Sequence, residues 1–213
     1  MDVSEYWKKR GIGYYDELKE PTKYEQARLK TQEVRVINLL KSQKFNSILE
    51  VGCGFGRYTK ILYSLLKPQN YVAIDISKKQ IENAKKYVGE KKIEFHCSKI
   101  QNFSTDQKFD LVFASEILMH IDFQDIKQVI QKLVSLSKNK IISIDWYDKN
   151  RIGEESGGYC FIHDYQTIFK NYKVKSVKIH PIPISLQLNV INVYAKLRGR
   201  HGFDRQAIIE VSV

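Results

Sequence analysis

The chain has 213 residues, 43% of them hydrophobic and 28% charged, a composition that is typical of a globular protein and excludes wholesale disorder. No apolar run approaches the roughly 20 residues that a membrane-spanning helix needs, which excludes an integral membrane protein. The 35 basic and 24 acidic side chains leave a net charge of +11, which favours anionic partners such as an anionic substrate or RNA without selecting one.

Residues 1–44 are predicted to form a helical segment that precedes the main domain. Within it, residues 24–43 have the apolar spacing of one amphipathic helix. A short helix and a loop are predicted before that helix, in a stretch rich in aromatic side chains, namely Tyr6, Trp7, Tyr14 and Tyr15. Two roles stay open for these rings: they form a lid that excludes water from a ligand, or they pack on the outer face of the domain.

Residues 45–213 are predicted to form the main domain, in which short apolar runs alternate with stretches of helical period. The apolar runs predict buried strands at 45–51, 71–76, 93–97, 109–115 and 140–146. The helical stretches predict helices at 58–66, after Ser77, after Asp122 and at 165–172. Strands and helices that alternate in this way pack as a doubly wound α/β sheet with parallel strands and helices on both faces.

The end of the chain departs from this alternation. Two more strands are predicted at 174–180 and 189–197 with no helix between them, which favours an antiparallel pair. The final apolar stretch, 207–213, leaves three roles open: an added strand, a surface for a partner, or part of a substrate wall.

A glycine-rich loop follows the first predicted strand, where open α/β sheets bind their ligands. The chain there is EVGCGFGR, residues 50–57, and its glycines permit a sharp turn and a close approach of backbone to ligand. Asp75 ends the second strand, 19 positions after Gly56, and a carboxylate there can accept hydrogen bonds from both hydroxyls of a ribose. The loop and the acid together predict a ligand that contains a nucleoside.

The identity of the nucleoside depends on the register of the glycines. A dinucleotide-binding loop has a third glycine where this chain has Arg57, and no second domain is evident, so an NAD-dependent dehydrogenase is disfavoured. The stretch ILEVGCGFGRYT instead resembles the first motif of the class I S-adenosylmethionine-dependent methyltransferases, with YVAIDIS as the ribose-binding strand and FDLVFASEILMHI as the fourth strand and its loop. The resemblance spans residues 45 to about 146. It implies a Rossmann-like sheet of seven strands, mostly parallel with an antiparallel last strand, and S-adenosylmethionine as cofactor.

The resemblance also implies roles for individual residues around the cofactor. The backbone of Gly52, Cys53 and Gly54 would pass under the methionine part, Glu50 would help hold the ammonium, and Asp75 would bind the ribose hydroxyls. The residues expected at the adenine and at the sulfonium are Ile76 for the adenine, and Ser115 and Glu116 for the sulfonium.

One motif departs from the family pattern. Where Gly-Asp-Ala is common, this chain has Ser98, Lys99 and Ile100. A lysine cannot accept a hydrogen bond from the adenine amine, so Lys99 and Ile100 are expected to recognise adenine through backbone groups.

Candidate catalytic and acceptor-binding residues follow the later strands. Methyl transfer needs in-line alignment, and a hydroxyl or ammonium acceptor also needs a group that takes its proton. His120 and His163 are the candidates for that group, although His120 has the alternative of a structural role and Asp164 the alternative of capping the next helix rather than orienting His163. The residues expected to contact the acceptor are Trp146 and Tyr147 at the end of strand five and Tyr14 and Tyr15 in the N-terminal segment.

The missing motifs narrow the acceptor. There is no Asn/Asp-Pro-Pro-Tyr/Phe after strand four, no Pro-Cys pair suited to cytosine C5 chemistry, and no appended RNA-binding module. By elimination we expect methylation of an O or N atom of a small-molecule acceptor, with RNA, a protein side chain or a non-catalytic scaffold subunit as alternatives. The sequence does not assign the acceptor or an oligomeric state.

The three cysteines are Cys53, Cys97 and Cys160, an odd number that lie far apart. This spacing fits neither a disulfide framework nor a zinc-binding Cys-x-x-Cys pair, so no metal site is expected. Reduced thiols in a cytoplasmic protein are the prediction.

Overall fold

The computed structural model describes residues 3–17, 21–183 and 205–213. Six helices lie in these parts of the chain: α1 (Val3–Glu17), α2 (Lys23–Leu40), α3 (Arg57–Leu66), α4 (Lys78–Val88), α5 (Ile126–Leu136) and α6 (Tyr165–Lys170). Short 3₁₀ helices span Ile100–Asn102 and Leu118–His120. No helix in the described ranges has the length and apolar character required to span a lipid bilayer.

The strands form one large sheet and a small hairpin. Their bounds are β1 (Ser47–Val51), β2 (Asn70–Asp75), β3 (Glu94–Cys97), β4 (Phe109–Ser115), β5 (Ser137–Trp146), β6 (Glu155–Ser156), β7 (Cys160–Phe161), β8 (Ser176–Pro181) and β9 (Gln206–Ser212). The sheet has seven strands in the order β3-β2-β1-β4-β5-β9-β8, and β6 pairs with β7. The pairs among β1 to β5 are parallel, whereas β9 is antiparallel to both β5 and β8. The predicted fold class is confirmed.

The last strand in chain order, β9, lies inside the sheet rather than at its edge. Residues 206–212 are the antiparallel strand β9, which lies between β5 and β8, so the added strand is the correct one of the three roles left open. The strand predicted at 189–197 falls outside the described residues. Because the apolar residues of β9 are buried on both faces of the sheet, this position suits its near-continuous apolar sequence.

Helices cover both faces of the sheet, as alternating strands and helices require. On one face, α5 and α6 pack Val129, Leu133 and Phe169 against the sheet. On the other, α2, α3 and α4 contribute apolar side chains that include Val36 and Leu62. The N-terminal segment therefore shares the core of the domain through α2.

Two helix starts bear on the site. Ser77 caps α4 by accepting a hydrogen bond from the Gln80 backbone N–H, as its position predicts. The side-chain amide of Gln80 donates to the Gly11 carbonyl at 2.7 Å and thereby connects α1 to α4. The helix predicted after Asp122 begins later, at Ile126. Asp122 instead accepts from the backbone N–H groups of residues 124 and 125 and forms a turn ahead of the helix.

Candidate active site

A cavity of about 330 Å³ opens at the carboxyl ends of β1, β2 and β4. Its volume lies within the range of about 300–1,000 Å³ that is usual for small-molecule sites. The lining includes all ten residues that the sequence predicts around the cofactor: Glu50, Gly52, Cys53, Gly54, Asp75, Ile76, Lys99, Ile100, Ser115 and Glu116. The topology therefore brings the strand-end motifs together at one site.

The glycine loop is shaped by left-handed backbone. Gly52 has φ +70° and Gly54 has φ +55°, a region that side chains other than glycine rarely adopt. A Cβ at Gly52 would lie 1.9 Å from Ile117 Cδ1, so the side chain of Ile117 already requires glycine there, whereas a Cβ at Gly54 would meet open space. The conformation explains both glycines, and the close approach at Gly52 is to Ile117.

Asp75 ends β2 and is buried at the wall of the cavity. Its Oδ2 accepts a hydrogen bond from the Gly54 N–H at 2.9 Å, and its Oδ1 accepts from the Ser77 N–H at 2.8 Å. Burial raises the pKa of this carboxyl above its usual range. Asp75 thus fixes the glycine loop to the end of β2, a structural contact that the sequence does not reveal.

Glu50 lies inside β1, and its carboxylate reaches the cavity wall beneath the loop. Its Oε2 accepts hydrogen bonds from the hydroxyls of Thr59 at 2.6 Å and Tyr71 at 2.7 Å. Burial raises the pKa of Glu50 to about 7. A cationic group at this wall would favour the ionised form, because an opposite charge nearby lowers a carboxyl pKa.

Glu116 follows β4 and is the centre of a buried polar cluster, which we call the Glu116 cluster. Its Oε1 accepts from Arg28, from Gln32 Nε2 at 2.8 Å and from Gln206 Nε2 at 2.9 Å. The guanidiniums of Arg28 and Arg57 outweigh the effect of burial and lower the pKa of Glu116 to about 2. Its backbone has φ +56°, which is unusual for a residue with a side chain.

Arg57 joins the Glu116 cluster from the first turn of α3. It donates to Glu33 Oε1 at 3.0 Å and to Gln32 Oε1 at 3.1 Å, so it binds helix α2. The arginine that stands where a dinucleotide-binding loop has its third glycine is therefore a link between α2 and α3.

The residues predicted to contact the adenine from the β3 side lie around the 3₁₀ helix Ile100–Asn102. Ser98, Lys99 and Ile100 line the cavity together with Gln101, which the sequence reasoning missed. The Ser98 N–H donates to the Asp75 carbonyl at 2.8 Å and the Ser98 hydroxyl donates to the Lys99 carbonyl at 2.9 Å, so backbone groups shape this wall.

His120 ends the 3₁₀ helix Leu118–His120 and lines the cavity. Its Nδ1 lies 2.7 Å from the Tyr159 carbonyl oxygen. Since a carbonyl only accepts, Nδ1 carries the proton of the neutral ring and Nε2 carries the lone pair. Burial lowers the pKa of His120, which favours that neutral form. The ring packs 4.4 Å from the ring of Trp7 on α1.

His163 does not line the cavity. It is buried among the rings of Phe123, Phe161 and Tyr165. Its Nε2 donates to the Ile121 carbonyl at 2.8 Å, just after the turn that carries His120. Asp164 caps α6 by accepting from the Thr167 N–H at 3.0 Å, which is the capping alternative considered above.

Three of the four aromatic residues predicted at the acceptor, Tyr15, Trp146 and Tyr147, lie outside the lining. Trp146 pairs with Gln206 in the sheet, and Tyr147 packs on the core near Tyr165. The Tyr15 ring is 5.2 Å from Phe55, which does line the cavity, whereas Tyr14 belongs to α1 and its side chain is outside the described part of the structure. Helix α1 lies over the opening of the cavity, because its residues Val3, Ser4, Trp7 and Gly11 line it.

Asp145 is a further buried acid that sequence reasoning missed. It lies near the end of β5, has no exposed surface, and accepts from the Met119 N–H at 3.0 Å and from the Ser143 hydroxyl. Burial raises the pKa of Asp145 to about 7. An aspartate within the apolar run KIISIDW is a sequence signal that would have found it. No such signal marks Arg28, Gln32 or Gln206.

Comparison with known proteins gives the family. Residues 48–140 match the model of a family described as a methyltransferase domain. The chain is 32% identical over 107 residues to a malonyl-[acyl-carrier protein] O-methyltransferase of Priestia megaterium, covering 49% of this chain and 38% of that protein. It is 33% identical over 92 residues to nodulation protein S of Bradyrhizobium diazoefficiens, covering 42% of this chain and 43% of that protein. The matched stretch spans about two fifths of the length of these relatives.

These matches support the class I S-adenosylmethionine-dependent methyltransferase family for this chain, on residues 48–140. Solved structures support the fold over its whole length. The N-methyltransferase NodS from Bradyrhizobium japonicum WM9, in complex with S-adenosylhomocysteine, aligns with a TM-score of 0.73 at 18% identity, covering 100% of this chain and 98% of that chain. Magnesium protoporphyrin IX methyltransferase from Synechocystis PCC 6803 with bound S-adenosylmethionine aligns with a TM-score of 0.71 at 13% identity, covering 100% and 97%. The predicted family is confirmed.

Proposed function

We propose that this methyltransferase transfers a methyl group from S-adenosylmethionine to an O or N atom of a small-molecule acceptor. The observation that carries the proposal is the meeting of all ten predicted cofactor residues around one cavity at the strand ends. S-adenosylmethionine supplies a methyl group activated by a sulfonium. The residues of the chain bind and orient the reactants and accept a proton.

The methionine and ribose ends of the cofactor fit the two buried acids. Asp75 accepts from backbone N–H groups of Gly54 and Ser77, and the four lone-pair sites of a carboxylate leave room for ribose hydroxyls. Glu50 offers a carboxylate to the ammonium, while Gly52, Cys53 and Gly54 present bare backbone at the wall.

The adenine and the sulfonium have their own candidate partners. Ile76 and Ile100 offer apolar surface to the adenine, with Lys99 beside them contributing backbone groups. Ser115 and Glu116, at the end of β4, are the residues we assign to the sulfonium end. From the adenine to the sulfonium, the assigned residues follow the order of the strands in the sheet, from β3 to β4.

His120 is the residue that we propose as proton acceptor. The Tyr159 carbonyl holds its Nδ1–H, so Nε2 is left with a lone pair, and its lowered pKa keeps the ring neutral at pH 7. His163 and Asp145 act at one remove, because they hold the backbone of the turn that carries His120, at Ile121 and Met119. Contact of Tyr14, Tyr15, Trp146 or Tyr147 with the acceptor stays a prediction.

The names of the relatives support a second candidate, an acceptor that is carried on an acyl-carrier protein. RNA and protein side chains are weaker candidates, because nothing beyond the diffuse net charge of +11 favours them. We propose a cytoplasmic location because Cys53, Cys97 and Cys160 form no disulfide.

Transfer of a labelled methyl group tests the proposal. The purified protein is incubated with methyl-labelled S-adenosylmethionine and, in separate reactions, with small metabolites, RNA and protein from cells. We expect label in the small-metabolite fraction, and we expect His120→Asn to lose it while retaining binding of S-adenosylhomocysteine. Label confined to RNA or protein would overturn the small-molecule acceptor. Binding of S-adenosylhomocysteine without label in any fraction would favour the scaffold.

A further inference from the structure

The cavity is acidic although the protein is strongly basic. The ionisable lining residues, apart from histidine and tyrosine, comprise five acids and two bases, namely Glu50, Asp75, Glu116, Asp122, Asp125, Arg57 and Lys99. The net charge of the whole chain is +11. Since a cleft lined by one sign of charge raises the local concentration of the opposite ion, the site selects cationic or neutral ligands.

Most of these acids already have a partner or an expected one. Asp122 accepts from two backbone N–H groups at the turn before α5, while Glu50 and Asp75 have the cofactor contacts proposed above. Glu116 is different, because the sulfonium that we assign beside it has no hydrogen to donate. Its Oε1 accepts three donors, and no donor in residues 3–17, 21–183 or 205–213 contacts its Oε2. The side chain is 19% exposed, and Glu116 lines the cavity.

Protonation does not relieve this oxygen. Arg28 and Arg57 keep the carboxyl ionised at any physiological pH, with a pKa of about 2. An ionised oxygen in a cavity from which a ligand expels water needs a donor in return, because an unpaired buried charge is costly. The ligand must therefore bring that donor.

The two guanidiniums of the Glu116 cluster already have carboxylate partners. Arg57 donates to Glu33 and Gln32, and Arg28 pairs with Glu116 itself. A carboxylate acceptor at this wall would be repelled by Glu116, because the guanidiniums of Arg28 and Arg57 are already paired. An ammonium would meet a carboxylate oxygen ready to accept it.

We propose that Glu116 binds the ammonium group of the acceptor, and that the acceptor of this site is an organic amine rather than a carboxylic acid. The inference rests on the proposed function. Trp7, which also lines the cavity on the α1 side, lies beside His120.

Small probes of matched shape test the proposal on the full chain saturated with S-adenosylhomocysteine. Benzylammonium, benzyl alcohol and benzoate are titrated to about 20 mM, the range in which single fragments bind, and backbone amide shifts of Glu116 and Ile117 are followed by NMR. We expect benzylammonium to bind at least about tenfold tighter than benzyl alcohol, and benzoate not to bind. Benzoate binding as tightly as benzylammonium would overturn the proposal, as would no binding of benzylammonium.

Two variants sharpen the test. Glu116→Gln should weaken benzylammonium at least about tenfold, whereas Glu33→Gln, which removes another acid of the same cluster outside the cavity lining, should not. Equal binding by wild type and Glu116→Gln would overturn the proposal. If Glu116→Gln does not fold, the comparison of the three probes on wild type decides alone. Failure of S-adenosylhomocysteine itself to bind would instead count against the proposed function.

Discussion

The two halves of the cavity are built differently. The half that we propose for the cofactor, called the cofactor half, comes from consecutive segments at the ends of β1, β2 and β3, where Glu50, Gly54 and Asp75 lie within 26 positions of one another. The half around Glu116, which we propose for the acceptor, is called the acceptor half. The acceptor half is assembled from α1, α2, the turn after β4 and β9. There, Glu116 bonds to side chains that lie 84 to 90 positions away. A local motif can encode the first half, but only the complete fold creates the second.

Removing the acid of the cofactor half should have the largest effect. Asp75→Ala loses the proposed ribose contacts and releases the glycine loop, so we expect affinity for S-adenosylhomocysteine to fall at least about 100-fold, or about 3 kcal/mol. Isothermal titration calorimetry measures this change. Asp110→Ala is the matched control, since Asp110 accepts from the Asn46 and Ser47 N–H groups at the opposite end of β1. A loss in both variants of the same size would mean that Asp75 acts through stability alone.

Breaking the acceptor half should destabilise the fold. Gln32 has no exposed surface, donates to Glu116 and Gln206 and accepts from Arg57. Gln32→Ala leaves three polar partners short of a bond, one of them buried and two partly buried, and we expect it to lower the free energy of unfolding by about 2–4 kcal/mol. Urea denaturation measures the loss. Lys30→Ala, at an exposed position of the same helix, should change stability by less than about 0.5 kcal/mol.

The fold was more predictable than the site. The strand from 109 to 115 is predicted at its exact bounds, because the largely apolar run FDLVFAS is too short for a typical helix and lies between polar turns. The start of α5 was missed, since Asp122 serves a turn rather than the cap. All ten residues predicted around the cofactor lie at or near strand ends, which the topology brings together at one cavity. The Glu116 cluster was beyond prediction because Gln32 and Gln206 are ordinary polar residues whose pairing depends on where β9 enters the sheet.

The affinity for the cofactor should depend on pH through Glu50. The pKa of Glu50 is raised to about 7, so its ionised fraction rises about tenfold between pH 6 and pH 8. Because the ionised form attracts the ammonium, affinity for S-adenosylhomocysteine should rise by up to about tenfold over that range. Titrations at several pH values measure this. Glu50→Gln should abolish the slope, and an unchanged slope in that variant would assign the titration to another group.

The smallest expected effect concerns the role of Asp164. It caps α6, and a lost cap costs about 1 kcal/mol, so Asp164→Ala should lower the free energy of unfolding by that amount. Asp164→Ser should restore most of it, because serine caps well. Thermal denaturation of the three proteins measures both changes. If the serine variant is as unstable as the alanine variant, the carboxylate has an electrostatic role beyond capping.

The central claim is that the acids at the ends of β1 and β2 hold one nucleoside-containing cofactor. A crystal structure of the protein soaked with S-adenosylhomocysteine tests it most directly. The account predicts the ribose hydroxyls within hydrogen-bond distance of Asp75, the amino group on the side of Glu50 and the adenine between Ile76 and Ile100. A ligand bound elsewhere, or an Asp75 carboxylate turned away from the ribose, would contradict it.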